Sequence, residues 1–246
     1  MAKRKSDREQ QHSGSPHPRM PEMSGDWQTA IANTSQRFDR EYHQEKFDLP
    51  TEVEAISIFD EWQSGRLPNR IASKFWDLKT PKKKQAWLDI GCGLSFLIYP
   101  WNEWDAVFYG QEVSAVARDI LTSRGPQLNS KLFHGVKLGA GHLLQYDDRQ
   151  FDGAIATGWS CYYSLEYWSQ VMVEVKRILK PDGSFLFDVV DPESLLAEDW
   201  AILETYLGTE VFLTPIEKWR SLVRQSGGNI VKSITNDLFL CLQVRF

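Results

Sequence analysis

Short apolar runs alternate with longer stripes of helical spacing over the last two thirds of this chain. Ala86-Trp87-Leu88-Asp89-Ile90 is such a run, and it enters a tight turn, Gly91-Cys92-Gly93. Runs of the same kind recur at about 107–111, 132–136, 152–157 and 185–190, and each predicts a buried strand. Between them lie amphipathic segments. Val116, Ile120 and Leu121 mark one helix, with Ser114 available as its cap. Leu165, Trp168, Met172, Val175 and Leu179 form a single apolar face on another. Pro181-Asp182-Gly183 reads as the turn into the fifth strand. Two final strands, near 230–235 and 238–246, are close enough to pair as a hairpin. Strand–helix alternation of this kind predicts an α/β domain. It is doubly wound on a mainly parallel seven-stranded sheet, with a closing antiparallel hairpin and an N-terminal helical extension.

The flanking segments read less sharply. Residues 1 to about 25 are polar, with Gly, Ser and Pro among them and a basic cluster at Lys3, Arg4, Lys5 and Arg8; this composition predicts a disordered, solvated tail. Residues 26–80 read as the helical extension. Thr51-x-x-Glu54 looks like a capping box opening a helix whose inner face is Val53, Ile56, Phe59 and Trp62 and whose end is Gly65. A second helix is expected from Pro68, with Ile71, Phe75 and Leu78 inward. Such an extension either covers the site or only packs on the sheet. Downstream, Asp191 is placed to cap a helix opening at Pro192, and Thr214-x-x-Glu217 reads as a second capping box, its helix stopped by Gly227. The helix after the glycine turn should be short, because Pro100 cannot continue it.

A strand entering Gly-x-Gly at a helix start is a nucleotide-binding arrangement, since bare backbone approaches a ligand closely and helix-start N–H groups suit anions. A dinucleotide fingerprint needs a third glycine at position 96, and that position is Phe96. Asp89-Ile90-Gly91-Cys92-Gly93 resembles instead the first motif of the class I S-adenosylmethionine-dependent methyltransferases. Phe108 to Ser114 resembles that family's second-strand motif, Leu144 to Asp152 its approach to the fourth strand, and Leu179 to Ser184 its approach to the fifth. The likeness covers about residues 80 to 246, so 81–246 is expected to be the cofactor-binding domain.

The resemblance implies S-adenosyl-L-methionine as cofactor and a set of contacts. Asp89 would act near the cofactor's amino group or organise the turn. Gly91, Cys92 and Gly93 would offer backbone. Glu112 would accept from the ribose hydroxyls; its plain alternative is a helix cap, a role Ser114 can fill. The family's adenine-binding acid is absent here, its position being Ala140, which leaves Gly141, His142 and Leu143 as contacts. Thr157 and Gly158, after the fourth strand, would lie beside the sulfonium. Trp159, Tyr162 and Tyr163 would wall the acceptor pocket or join the core. Tyr162, Tyr163 and Asp191 are the candidate acceptor-side catalytic groups, and Cys161 reads as buried filler.

Composition narrows the partners. The chain has 246 residues, 42% hydrophobic and 25% charged, with a formal net charge of −5, which does not point to nucleic acid. Its 3 cysteines are too scattered for a disulfide framework or a zinc cluster, so no metal is expected and a reducing cytoplasmic setting is. No apolar stretch is long enough to span a bilayer, and the basic start lacks the apolar segment of a signal peptide. The expected function is methyl transfer to a small-molecule acceptor. A non-catalytic cofactor-binding module and a methyltransferase acting on protein or RNA are the alternatives. A nicotinamide oxidoreductase is disfavoured by Phe96 and the closing hairpin.

Overall fold

The computed structural model describes residues 25–129 and 131–246, so the tail expected over residues 1–25 lies outside them except for Gly25. Seven strands form one sheet: β1 (Ala86–Ile90), β2 (Val107–Glu112), β3 (Phe133–Leu138), β4 (Phe151–Ala156), β5 (Leu179–Val190), β6 (Asn229–Thr235) and β7 (Phe239–Arg245). Their spatial order is β3-β2-β1-β4-β5-β7-β6. All neighbours pair in parallel except β7, which runs antiparallel between β5 and β6. The chain therefore reverses its winding between β1 and β4, and that switch point is where doubly wound sheets hold ligands.

Strand alternation splits the interior into two cores. Trp87, Ile155, Leu186 and Cys241 face one side with Phe96, Tyr99 and Phe108. Leu88, Ala154, Phe187 and Leu242 face the other, against the apolar stripe of α7 (Leu165–Ile178). That stripe includes Trp168, Met172 and Val175, all fully buried. Ser164 caps α7 by accepting the Tyr167 N–H. Trp87 explains Gly153 on the neighbouring strand: a Cβ there would lie 2.5 Å from the indole.

Several expected elements form differently. The helix expected over 51–65 is two pieces, α2 (Thr51–Glu54) and α3 (Phe59–Gln63). It breaks because Ser57 gives both its N–H and its hydroxyl to Asp199 on α8 (Ala197–Leu207). Thr51 is not a cap: the N-cap is Pro50, with no side-chain bond. The helix expected from Pro68 ends early as α4 (Leu67–Ile71), followed by a 3-10 turn at Phe75–Asp77; Asn236 takes the Ile71 carbonyl at 2.7 Å. Pro192 does not open a helix. Asp191 instead holds a turn, accepting the Glu193 N–H at 3.0 Å, and α8 begins at Ala197. Pro215, not Thr214, is the N-cap of α9 (Ile216–Gln225). Ser114 does cap α6 (Ala115–Asn129), through the Ala117 N–H.

Two further helices complete the frame. The glycine turn is followed only by a 3-10 turn, Ser95–Ile98, and by the short α5 (Trp101–Trp104). Phe96 is buried in this turn against Phe108 and Phe133, holding it off the sheet where a third glycine would let a helix approach. At the other end α1 (Gly25–Tyr42) lies across the carboxyl ends of the strands. Among the described residues no helix is long and apolar enough to cross a membrane.

Candidate active site

A cavity of about 130 Å³ opens at the switch point. Its floor is the β1 turn, Ile90 to Gly93, and the end of β2 at Glu112 and Val113. The far side is Gly141 and the β4 end, Thr157 to Trp159. Its roof is one face of α1: Thr34, Phe38 and Tyr42, spaced four apart, stand in line over it. Tyr163 and Tyr167 close the remaining wall.

Glu112 organises the floor. It is buried, and its carboxylate takes three backbone N–H groups, Gly93 at 2.7 Å on Oε2, then Val113 at 2.8 Å and Ser114 at 2.9 Å on Oε1. Burial holds its carboxyl above the usual range, and these three donors oppose that shift. A carboxylate has about four acceptor sites, so capacity remains for a ligand hydroxyl.

Gly91 is required by its surroundings. Its φ is +64°, and a Cβ would meet the Trp159 indole at 2.7 Å. Trp159 donates its ring N–H to the Ile90 carbonyl at 2.7 Å, which seats the indole across the turn as far as Gly141. Tyr42 comes down from α1 so that its phenol oxygen lies 2.9 Å from where a Gly93 Cβ would be.

The carboxyl at Asp89 points away from the cavity. It is buried and accepts the Tyr99 hydroxyl at 3.0 Å, and burial pushes its pKa up to about 8. The structure thus places Asp89 beneath the turn. Cys92 reaches the cavity, its thiol held well above the ordinary range by burial and by Glu112.

The other expected contacts divide. Gly141, Thr157, Gly158 and Tyr163 line the cavity. His142 faces Trp27 and Tyr167 instead, with ring centroids 5.9 and 5.1 Å away, and Leu143 is exposed; neither lines it. Tyr162 is buried on the far side of Phe38 and points its hydroxyl at Glu204 of α8. Asp191 holds its turn away from the cavity.

Sequence reasoning missed four groups. Thr34, Phe38 and Tyr42 were legible as an i, i+4, i+8 stripe on α1. Gln111, beside Glu112, is buried and donates to the carbonyls of Ala140 and Leu143 at 2.7 and 3.0 Å while accepting the Gln145 N–H. It fixes the loop that carries Gly141. Asp188 on β5 accepts the Gly158 N–H at 2.8 Å and so holds the β4 end in its left-handed turn. Arg37 pairs in two-pronged fashion with Glu204, at 2.8 and 2.9 Å, both fully buried, and also bonds Glu41. That pair docks α1.

Residues 88–187 match the model of a methyltransferase domain family. The match spans 100 of the 246 residues, and over that span the sequence is similar to that family. Solved structures share the fold. A geranyl diphosphate C-methyltransferase from Streptomyces coelicolor, bound to Mg2+, geranyl diphosphate and S-adenosyl-L-homocysteine, is 10% identical with a TM-score of 0.64, over 94% of this chain and 99% of that one. A SAM-dependent methyltransferase from Aquifex aeolicus is 13% identical with a TM-score of 0.57, over 81% and 98%. A putative methyltransferase of Haloferax volcanii, complexed with the activator Trm112, is 16% identical with a TM-score of 0.58, over 76% and 96%. No curated protein matches the sequence.

The residues of the cavity suit the methyltransferase cofactor chemically. Glu112 can accept from vicinal hydroxyls, the turn offers bare backbone, and aromatic rings suit a sulfonium. At about 130 Å³ the cavity is below the ~300–1,000 Å³ of clefts that hold drug-sized ligands.

Proposed function

We propose that this chain transfers a methyl group from S-adenosylmethionine to a small-molecule acceptor. One observation carries the reading: a single roofed cavity joins the glycine turn, the Glu112 carboxylate and the Thr157–Trp159 strand end. When bound, S-adenosylmethionine supplies an electrophilic methyl on its sulfonium. Glu112 takes the ribose hydroxyls, Gly91 to Gly93 lie against the amino-acid end, and Gly141 borders the adenine. Asp89 supports the turn from beneath. Thr157 and Gly158 face the reacting centre, with Tyr163 as a wall of the acceptor space; Tyr162 and Asp191, which do not line the cavity, take no part.

The protein's contribution is alignment and exclusion of water, and orientation of this kind is worth about 7–11 kcal/mol in favourable cases. An acceptor has to fit beneath α1, which favours a small molecule over a folded protein or RNA. Two measurements test the reading. Titration calorimetry with S-adenosylhomocysteine should give one site per chain, and absence of binding would overturn the assignment. Release of labelled product from radiolabelled donor and a small-molecule extract should follow. Cofactor binding with no transfer in any extract would favour the non-catalytic module.

A further inference from the structure

The order of the strands fixes which side of the cavity a nucleoside base meets. Glu112 ends β2, and the sheet runs β3-β2-β1-β4 across the switch point. A ligand with its sugar on Glu112 and its amino-acid end over Gly91 to Gly93, at the end of β1, has the β3 side left for its base. The loop leaving β3 begins there. Gly139 gives its N–H to the Glu112 carbonyl at 2.8 Å, and Gly141, two residues on, lines the cavity.

This wall is poor in free acceptors. The carbonyls of Ala140 and Leu143 already accept from the Gln111 amide, at 2.7 and 3.0 Å, and that of Ala140 also accepts the Leu143 N–H. Among the described residues that line the cavity, Glu112 is the one carboxylate, and the sugar takes it.

What the wall does offer is a donor. Tyr167 of α7 is buried beside Gly141 and stacks on Tyr163 at 4.3 Å. The backbone N–H groups of Gly141 and His142 are directed at its phenol oxygen. A phenol has one proton to give, and its oxygen lone pairs are the side those N–H groups occupy, so the O–H is left to donate. Burial holds the phenol well above its ordinary pKa, which keeps that proton in place.

An adenine ring accepts through its ring nitrogens and donates through its 6-amino group, and the edge remote from the sugar carries N1 and that amino group side by side. We propose that Tyr167 is the residue that recognises the base: its hydroxyl donates to N1, while the neighbouring 6-amino group meets no carboxylate and adds little to affinity. This rests on the reading above that S-adenosylmethionine binds here, and it places the choice of base on one phenol from α7 and not on a side chain of the β3 loop.

The test titrates the full chain calorimetrically with S-adenosylhomocysteine and two analogues, one with hydrogen in place of the 6-amino group and one with carbon in place of N1. Failure of S-adenosylhomocysteine itself to bind marks failure of the cofactor reading and not of this one. On the native chain the 6-hydrogen analogue should bind within about three-fold of S-adenosylhomocysteine, and the 1-deaza analogue about ten-fold more weakly. Tyr167→Phe should weaken S-adenosylhomocysteine about ten-fold and leave the 1-deaza analogue where it was. A hydroxyl that only held the Gly141 loop would weaken both ligands alike, and that result would overturn the proposal. So would equal binding of the 1-deaza analogue to the native chain, a ten-fold loss on removing the 6-amino group, or native affinity in Tyr167→Phe.

Discussion

Glu112 shows how much one side chain fixes. Its two oxygens face donors on both sides, Gly93 on one and Val113 with Ser114 on the other. A glutamine there turns an NH2 toward an N–H whichever way its amide is flipped. Glu112→Gln should therefore be no better than Glu112→Ala, each losing about 1–3 kcal/mol of S-adenosylhomocysteine affinity by calorimetry. A glutamine variant with native affinity would show that the charge and the donor pattern are immaterial. Gly91 is constrained twice, by a positive φ and by the Trp159 indole over its missing Cβ. Gly91→Ala should cost about 1–3 kcal/mol in urea unfolding, and Trp159→Ala in the same chain should recover only part, because the backbone strain stays. Both residues were legible in the sequence, since a glycine turn followed nineteen positions later by a strand-end acid is a local pattern. Trp159 was legible as a pocket wall, but the seal its indole makes over the turn was not, because it arrives from beyond the end of β4.

At the scale of elements, legibility followed the strength of the local signal. The β1 turn and the stripe of α7 form as their patterns require, because buried strands and a capped amphipathic helix agree with their surroundings. The N-terminal helices depart where distant partners intervene: Asp199 captures Ser57 and Asn236 captures the Ile71 carbonyl, and each diverts a backbone that the periodicity would continue. The role of α1 depends on such a partner as well. Its roofing face is Thr34, Phe38 and Tyr42, but Arg37 and Glu204 dock it, 167 positions apart. Neither residue announces the other. Glu204→Ala leaves a buried guanidinium short of its partner, a loss of about 3–5 kcal/mol, while an apolar pair of similar volume is close to neutral. Glu204→Ala should lower the urea midpoint and make the 25–42 segment the first cut by protease, and the double variant Arg37→Met, Glu204→Leu should restore most of both. Equal behaviour of single and double variants would show that the ion pair does not hold the roof.

For the molecule as a whole, the described residues of the sheet bury three carboxyls that no cation balances, Glu112, Asp89 and Asp188, and the last two set the pH response. Asp89 on β1 and Asp188 on β5 are fully enclosed, and burial pushes them up to about 8 and about 7. Asp188 keeps one oxygen on the Gly158 N–H, and the Ser73 hydroxyl is its other polar neighbour. In an unfolded chain both would ionise near 4. Between about pH 4 and pH 7 the folded protein therefore holds protons that the unfolded chain has released. Stability falls as pH rises through that window, by about 1.4 kcal/mol per pH unit for each group, and Asp89 extends the fall to about pH 8. This is opposite in sign to the usual surface carboxylate. Asp188→Asn keeps the acceptor for Gly158 and removes the titration. Its stability relative to the native chain should be near zero at pH 4, grow with pH, and level off above about pH 7 at a gain of at least about 1 kcal/mol, read from urea unfolding across the range. A difference that does not change with pH would mean that Asp188 is ionised in the folded protein throughout, and that the β4 end rests on a charge after all.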